Sequence, residues 1–252
     1  MSEKHGFQFL KKTYYSAMGE SSEEKKLPQP PLELEYPADA SLIPLPEPEE
    51  MAHIPDIELR EAIERRKTAR RYDENQSITL EELSYLLWIT QGVRQVTERP
   101  VTFRNVPSAG ARHAFETYLV VNRVDGLEPG LYRFIALENA LLKVDAAADI
   151  TQRVSDACLK QQQIIRAAVT FIWVAVTERM YWRYNERGYR YLHLDAGHVC
   201  QNLYLGAEAI GCGVCAIAAY DDEMLNSVLG FDGDDLWVIY VAPLGKRLPP
   251  EK

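Results

Sequence analysis

The sequence predicts an α+β fold, and three features carry that expectation. Helical and strand-like apolar segments are mixed, without the regular βαβ alternation of a doubly wound sheet. Val169-Thr170-Phe171-Ile172-Trp173-Val174-Ala175-Val176 is apolar almost without break, as a central strand buried on both faces would be. From about Tyr191 to Ile210, residues Leu192, Ala196, Val199, Leu203, Ala207 and Ile210 recur at helical spacing, with small and apolar residues on other faces as well. Such a helix suits the core of a dimer.

Residues 1 to 55 are expected to form an extended N-terminal arm. Eight of the 14 prolines fall between Pro28 and Pro55. The arm has no core of its own, so it is either disordered or laid on a partner surface. Leu32, Leu34, Tyr36, Leu42, Ile43 and Leu45 supply the apolar side chains for docking. The main domain spans residues 56 to 247, and a short tail covers 248 to 252.

Within the domain, Asp56 is a candidate cap for a helix through Ile57, Leu59, Ala62 and Ile63. Thr79 and Glu82 form a capping box for a second helix, with Leu80, Leu83, Leu86 and Leu87 as its buried stripe and Gly92 at its end. Residues 93 to 106 read as a loop. Tyr118 to Val124 reads as a strand, and Gly130–Phe134 with Ala140–Val144 as a hairpin. Asp149 to about Arg166 is expected to be helical. After the central strand comes a polar aromatic stretch, Met180 to Tyr189, then the long helix. Val214 to Ala219 (strand), Asp221 to Leu229 (helix) and Leu236 to Ala242 (strand) complete the order.

Composition bounds the function. The chain has 252 residues, 46% hydrophobic and 26% charged, as in ordinary globular proteins. A net charge of −9 argues against general nucleic-acid binding. No apolar run approaches the roughly 20 residues that span a bilayer, and Met1 to His5 is not followed by a signal-peptide apolar core. The expected location is cytoplasmic, with no membrane association. Cys212 and Cys215 form a C-x-x-C without further ligands nearby, so two buried thiols are expected and no metal. His193 and His198 are five apart, the wrong spacing for two ligands on one helix face. His198 reads as a satisfied buried histidine, with Asp195 one turn before it.

Four segments ask for one anionic, planar ligand. Arg65, Arg66, Lys67, Arg70 and Arg71 put five cations, with Thr68 among them, into seven residues of an acidic chain. Cations with a hydroxyl and free N–H groups make a phosphate site, although cations also favour a helix C-terminus. Lys246 and Arg247 are a second basic pair after a strand. The turn Val106-Pro107-Ser108-Ala109-Gly110-Ala111-Arg112-His113 carries little bulk, so a flat group can lie against its backbone. Gly211 to Ala219 is equally free of large side chains, and it lacks the G-x-G-x-x-G pattern of a Rossmann site.

Arg66-Lys67-Thr68-Ala69-Arg70-Arg71-Tyr72 resembles the opening motif of the nitroreductase family. Pro107 to His113, followed by Glu116 to Val121, looks like that family's second flavin segment. Arg187 to Tyr191, Asp195-Ala196-Gly197-His198 and Gln201-Asn202-Leu203 are similar to its central helix. These forms look most like the SagB-type branch, which includes azoline dehydrogenases of peptide-modifying clusters. The resemblance covers about residues 56 to 247.

It implies a nitroreductase-like fold, with a central mostly antiparallel sheet flanked by helices, in an interlocked homodimer that holds FMN at its interface. By that mapping Arg66, Lys67, Thr68 and Arg70 hold the phosphate and ribityl chain, and Lys246 or Arg247 helps. Pro107, Ser108, Ala109 and Gly110 come from the other subunit, and Ala218 and Ala219 offer N–H groups to the flavin edge. NAD(P)H is the implied electron donor. Azoline dehydrogenases of this branch carry a Lys-Tyr pair where this chain has Arg183-Tyr184. Arginine is effectively always protonated, so it binds anions and is a poor general base. Tyr184 is left as proton donor or acceptor.

The expected activity is thus FMN-dependent, ping-pong hydride transfer through flavin N5, on a small-molecule or peptide substrate. Two further readings stay open: an azoline dehydrogenase of a peptide-modification cluster, and a flavin-free structural partner in such a complex.

Overall fold

The computed structural model describes residues 4–249. The first three residues of the Met1–His5 reading and the last three of the expected tail lie outside that range. In chain order the elements are α1 (His5–Lys12), β1 (Leu42–Pro44), α2 (Leu59–Arg65), α3 (Leu80–Gln91), β2 (Val93–Val96), β3 (Thr102–Arg104), β4 (Phe115–Val121), β5 (Gly130–Ile135), β6 (Ala140–Asp145), α4 (Ile150–Ala157), α5 (Gln162–Arg166), β7 (Val169–Val176), α6 (Thr177–Tyr184), α7 (Arg187–Ala209), β8 (Cys212–Val214), α8 (Asp222–Leu229) and β9 (Leu236–Lys246).

Seven strands form one sheet in the order β1-β6-β5-β4-β7-β9-β8, every pair antiparallel. The α+β class and the central antiparallel sheet are therefore as expected. β7 is buried at all eight positions. Strand side chains alternate in direction, so Phe171, Trp173 and Ala175 enter a core with α3 and α7, while Ile172 and Val174 enter a second core with α4, α5 and α8. Helices on both faces explain why this strand reads as a continuous apolar run.

The capping box at Thr79 and Glu82 is present, and Gly92 ends α3. Asp221 caps α8 through Met224 N, and Gly230 ends it at φ 81°. Other expectations need correction. α2 starts at Leu59 with Glu58 at its N-cap, so Asp56 caps nothing. Asp56 and Ile57 instead continue the arm past Tyr85 and Trp88. Residues 93–106 contain the β2–β3 hairpin, in which Thr102 and Arg104 are buried and Phe103 is exposed. The expected helix 149–166 is broken in two, with Leu159 and Lys160 at positive φ. Met180–Tyr184 belongs to a helix, α6, which ends where Asn185 takes φ 51°. β8 stops at Val214, after which Ile217 makes only an isolated bridge to Val241, so the expected strand to Ala219 is shorter.

The arm lies along its own domain. β1 pairs with β6 and extends the sheet. Leu45 and Met51 are buried. Buried or half-buried donors of the domain hold the arm's carbonyls: Arg133 Nη2 on Leu34 O (3.0 Å), Arg179 Nε on Pro31 O (2.8 Å) and Trp182 Nε1 on Leu27 O (3.0 Å). A proline-rich chain has carbonyls to spare and few N–H groups, which fits a surface rich in arginine donors.

Candidate functional site

Two groups of residues expected at one ligand sit at different heights along α7. The first group follows α2. Arg66 leaves the helix with its guanidinium 5.5 Å from the Tyr204 ring centroid. Thr68 Oγ1 lies 3.3 Å from Tyr204 Oη, and the same hydroxyl accepts from Ala216 N at 2.9 Å. Ala69 N donates to Val214 O. Tyr204 therefore ties the basic segment to the small-residue run after β8, a role the sequence did not announce. Gly213 is required there, because a Cβ would run into Ala69 Cβ.

Lys67, Thr68, Arg70, Arg71 and Arg247 line a cavity of about 360 Å³. Among the described residues Arg66, Lys67, Arg70 and Arg71 make no ion pair, whereas Arg65 pairs with Glu61 and Arg247 with Glu208. Lys246 Nζ is turned to Glu82 (2.5 Å) and Ile210 O (2.9 Å), so Arg247 is the member of that pair at the cavity. Ala218 and Ala219 are exposed beside this end of the sheet, and Ala219 O accepts from Gln161. A cluster of unpaired cations around a hydroxyl and a cavity fits a phosphate dianion.

The second group is the turn before β4. Ser108 Oγ donates to Asp195 Oδ2 at 2.7 Å, and Ala109 N reaches both carboxylate oxygens at 3.2 Å. Burial raises the Asp195 pKa, opposed by these hydrogen bonds. Gly110 (φ 57°), Ala111 (φ 53°) and His113 (φ 43°) all occupy the left-handed region. For the two non-glycine residues that conformation is a cost, of the kind concentrated at functional sites. A Cβ on Gly110 would collide with the Tyr184 hydroxyl and come within 3.0 Å of Arg183 Nε. Tyr184 packs edge-on against Tyr191, centroids 4.8 Å apart. Arg183 and Tyr184 thus adjoin the second group and not the first. Asp195 and Tyr204 are nine residues apart on α7, about 13 Å along its axis.

His198 was expected to be buried, but its side chain is 51% exposed and 3.9 Å from Asp195, because it faces outward with Leu194, Gly197 and Gln201. The buried histidine is His113. Burial first, then Arg104 and Arg112, lowers its pKa to about 3. That lies below the unfolded value of about 6.5, so protonation favours the unfolded chain. Stability present above pH 6.5 is lost as pH falls toward the folded value, about 2 kcal/mol of it by pH 5. Urea melts of His113→Gln are expected to show a flatter pH dependence between 7 and 5. An unchanged slope would assign the acid sensitivity elsewhere.

Cys212 and Cys215 are buried thiols, as expected. Cys158, Cys200, Cys212 and Cys215 are all free and buried. Burial pushes the Cys212 thiol up to about 12, which leaves it inert at neutral pH. Among the described residues no cluster of three metal-ligating side chains occurs, and no helix is long and apolar enough to cross a membrane.

With this sheet and central helix, the chain belongs to the nitroreductase family, whose sequence profile matches residues 63–246. Members of that family are usually oxidoreductases. Among curated relatives, the chain is similar to the nitroreductase-like protein MJ1384 of Methanocaldococcus jannaschii, 32% identical over 79% of this chain and 96% of that one. It is also similar to the trifolitoxin-processing protein TfxB of Rhizobium leguminosarum bv. trifolii, 30% identical over 50% of this chain and 35% of that one. A crystal structure of a nitroreductase-like protein of Anabaena variabilis superposes with TM-score 0.64 at 29% identity, over 75% of this chain. This chain spans 38% of that protein's length. A chain of the E. coli microcin synthetase McbBCD complex, solved with truncated pro-MccB17 bound, superposes with TM-score 0.61 over 96% of this chain and 93% of that one. At 17% identity that likeness is one of fold.

Proposed function

We propose that the protein is an FMN-dependent oxidoreductase acting as a homodimer. The bound flavin would supply hydride transfer through N5 in two half-reactions, with NAD(P)H as donor. The observation that carries this reading is the set of unpaired cations Lys67, Arg70 and Arg71 lining the 360 Å³ cavity, with Arg66 next to them over the Tyr204 ring. Arg66, Lys67, Thr68 and Arg70 would hold the phosphate and ribityl chain, with Arg247 closing the site. Ala218 and Ala219 would offer N–H groups to the ring edge.

Pro107, Ser108, Ala109 and Gly110 would come from a second copy. Their separation from the first group along one α7 supports this, because a two-fold axis brings opposite ends of equivalent helices together. The outward stripe His193, Leu194, Gly197, His198 and Gln201 of α7 is available for that contact. In each site Asp195 would fix the turn and Tyr204 the basic segment.

The purified protein is expected to be yellow and to release FMN on denaturation. Arg66→Ala should weaken FMN binding by about 2–3 kcal/mol, the size of a lost charge-assisted contact. Protein that stays colourless after incubation with FMN would sink the reading, and an unchanged affinity in Arg66→Ala would leave that residue outside the site.

The second reading, a dehydrogenase of peptide azolines, is favoured by the arm. The likeness to the microcin synthetase chain covers 96% of this chain, so it includes most of the arm, and TfxB is named for processing trifolitoxin. Arg183 cannot serve as a base there, so Tyr184 would exchange the proton. Loss of two hydrogens from a thiazoline-bearing peptide, read by mass, separates this substrate from simple nitroaromatics and quinones.

A further inference from the structure

Two guanidinium groups pair with one carboxylate near Gly110, and a third, buried guanidinium lies close by. Arg183 Nε lies 3.4 Å from Glu23 Oε2, and Arg99 pairs with the other oxygen of the same carboxylate. Arg112 lies within electrostatic reach of both arginines and of Glu23. Its Nε donates to Gly110 O at 3.2 Å, and its guanidinium lies 5.3 Å from the Trp182 ring centroid. Arg112 is only 6% exposed, and its Nη2 is buried without a hydrogen-bond partner among the described residues. Three positive charges face one negative charge here, in a chain whose net charge is −9. A buried guanidinium short of a counter-charge is costly, so the cluster has capacity for another anion.

The carboxylate now present is lent by the arm. Glu23 N donates to Trp182 O at 2.9 Å, and Ser21 closes the short turn through Glu24. Arg99 is 60% exposed and Glu23 is 26% exposed, so their pairing is open to exchange with solvent anions.

We propose that Arg99, Arg112 and Arg183 form a carboxylate-binding subsite beside Gly110 and Tyr184, which Glu23 fills in the free protein and a carboxylate-bearing substrate takes over. A carboxylate is the group because a carboxylate already fits, and the planar guanidinium fork matches its two oxygens. The inference names a substrate class for the oxidoreductase reading and rests on that reading for its place beside the reactive ring. The binding event itself does not need the flavin.

The test is calorimetric titration of the full-length protein, its FMN content recorded by absorbance, with 4-nitrobenzoate and the neutral 4-nitrobenzamide. A tetrapeptide bearing Asp, against the same peptide with Asn, distinguishes a peptide carboxylate from an aromatic acid. The wild type is expected to prefer the charged probe about ten-fold, and Glu23→Gln to widen that preference about ten-fold more. Arg183→Gln should collapse it to about two-fold or less; this partly exposed residue keeps the test decisive if Arg112→Gln does not fold. Equal affinities for charged and neutral probes in both wild type and Glu23→Gln would overturn the subsite, as would a preference that survives Arg183→Gln. Colourless protein that keeps the preference removes the flavin reading alone. Yellow protein without the preference removes the subsite alone.

Discussion

A chain shortened to residues 56–252 is expected not to fold cooperatively. The arm that this removes looks dispensable by composition, yet it completes the domain. Leu45 and Met51 are 5% and 6% exposed, and burying such side chains is worth about 2–3 kcal/mol each. Many groups of the domain lose a partner with the arm, and five of them set the scale. They are Arg133 (to Leu34 O), Arg179 (to Pro31 O), Trp182 (to Leu27 O), Ala136 N (to Glu33) and Ser84 Oγ (to Pro46 O). At about 1 kcal/mol each, the sum with the apolar burial is on the order of 10 kcal/mol. That equals a typical domain's whole stability of about 5–15 kcal/mol. β6 would also become an exposed sheet edge, a template for aggregation. Thermal melts followed by circular dichroism are the measurement. A sharp transition within a few degrees of the full-length protein would show that the arm is only draped on the surface.

The sequence was most legible where one physical rule acts alone. The Thr79–Glu82 box and the doubly buried β7 run each have a local signature, and each is present. Where the partner is remote, the signature failed. The docking of the arm depends on Arg133, Arg179 and Trp182, which lie 99, 148 and 155 positions away from the carbonyls they bind. The β2–β3 hairpin had a signal in Val93-Arg94-Gln95-Val96 and Val101-Thr102-Phe103-Arg104, two short alternating runs around Pro100, but both are brief enough to pass for loop. At the site, the basic segment and the small-residue turn were readable from their own residue types. Asp195 and Tyr204, which fix them, were not, because an acid or a tyrosine on a helix has many ordinary reasons to be there. Glu23 was hidden for the same reason, as one charge within a polar stretch.

Arg179→Ala is expected to destabilise the protein by about 3–5 kcal/mol, the cost of stripping one partner from a buried ion pair. Arg179 Nη2 lies 2.6 Å from Glu116 Oε1, and the two side chains are 4% and 3% exposed. Glu116 also accepts from Leu34 N at 2.9 Å, and Arg179 donates to Pro31 O. One pair thus joins β4, α6 and the arm. For a chain of this size the loss lowers the melting temperature by roughly 10 °C. The exposed pair Arg60–Glu64, with side chains 90% and 62% exposed, is the control; Arg60→Ala should change stability by less than about 0.5 kcal/mol. Combining Arg179→Met with Glu116→Gln should recover part of the loss, because neither charge is then left buried alone. The consequence for function follows from position. Arg179 lies one helical turn before Arg183, so loosening this pair shifts the residue that meets Glu23 and Gly110. The single variant should therefore bind 4-nitrobenzoate more weakly even at temperatures where it is folded. If Arg179→Ala behaves like Arg60→Ala in the melt, the pair does not hold α6 to the sheet, and the positioning of Arg183 must come from the α6–α7 packing alone.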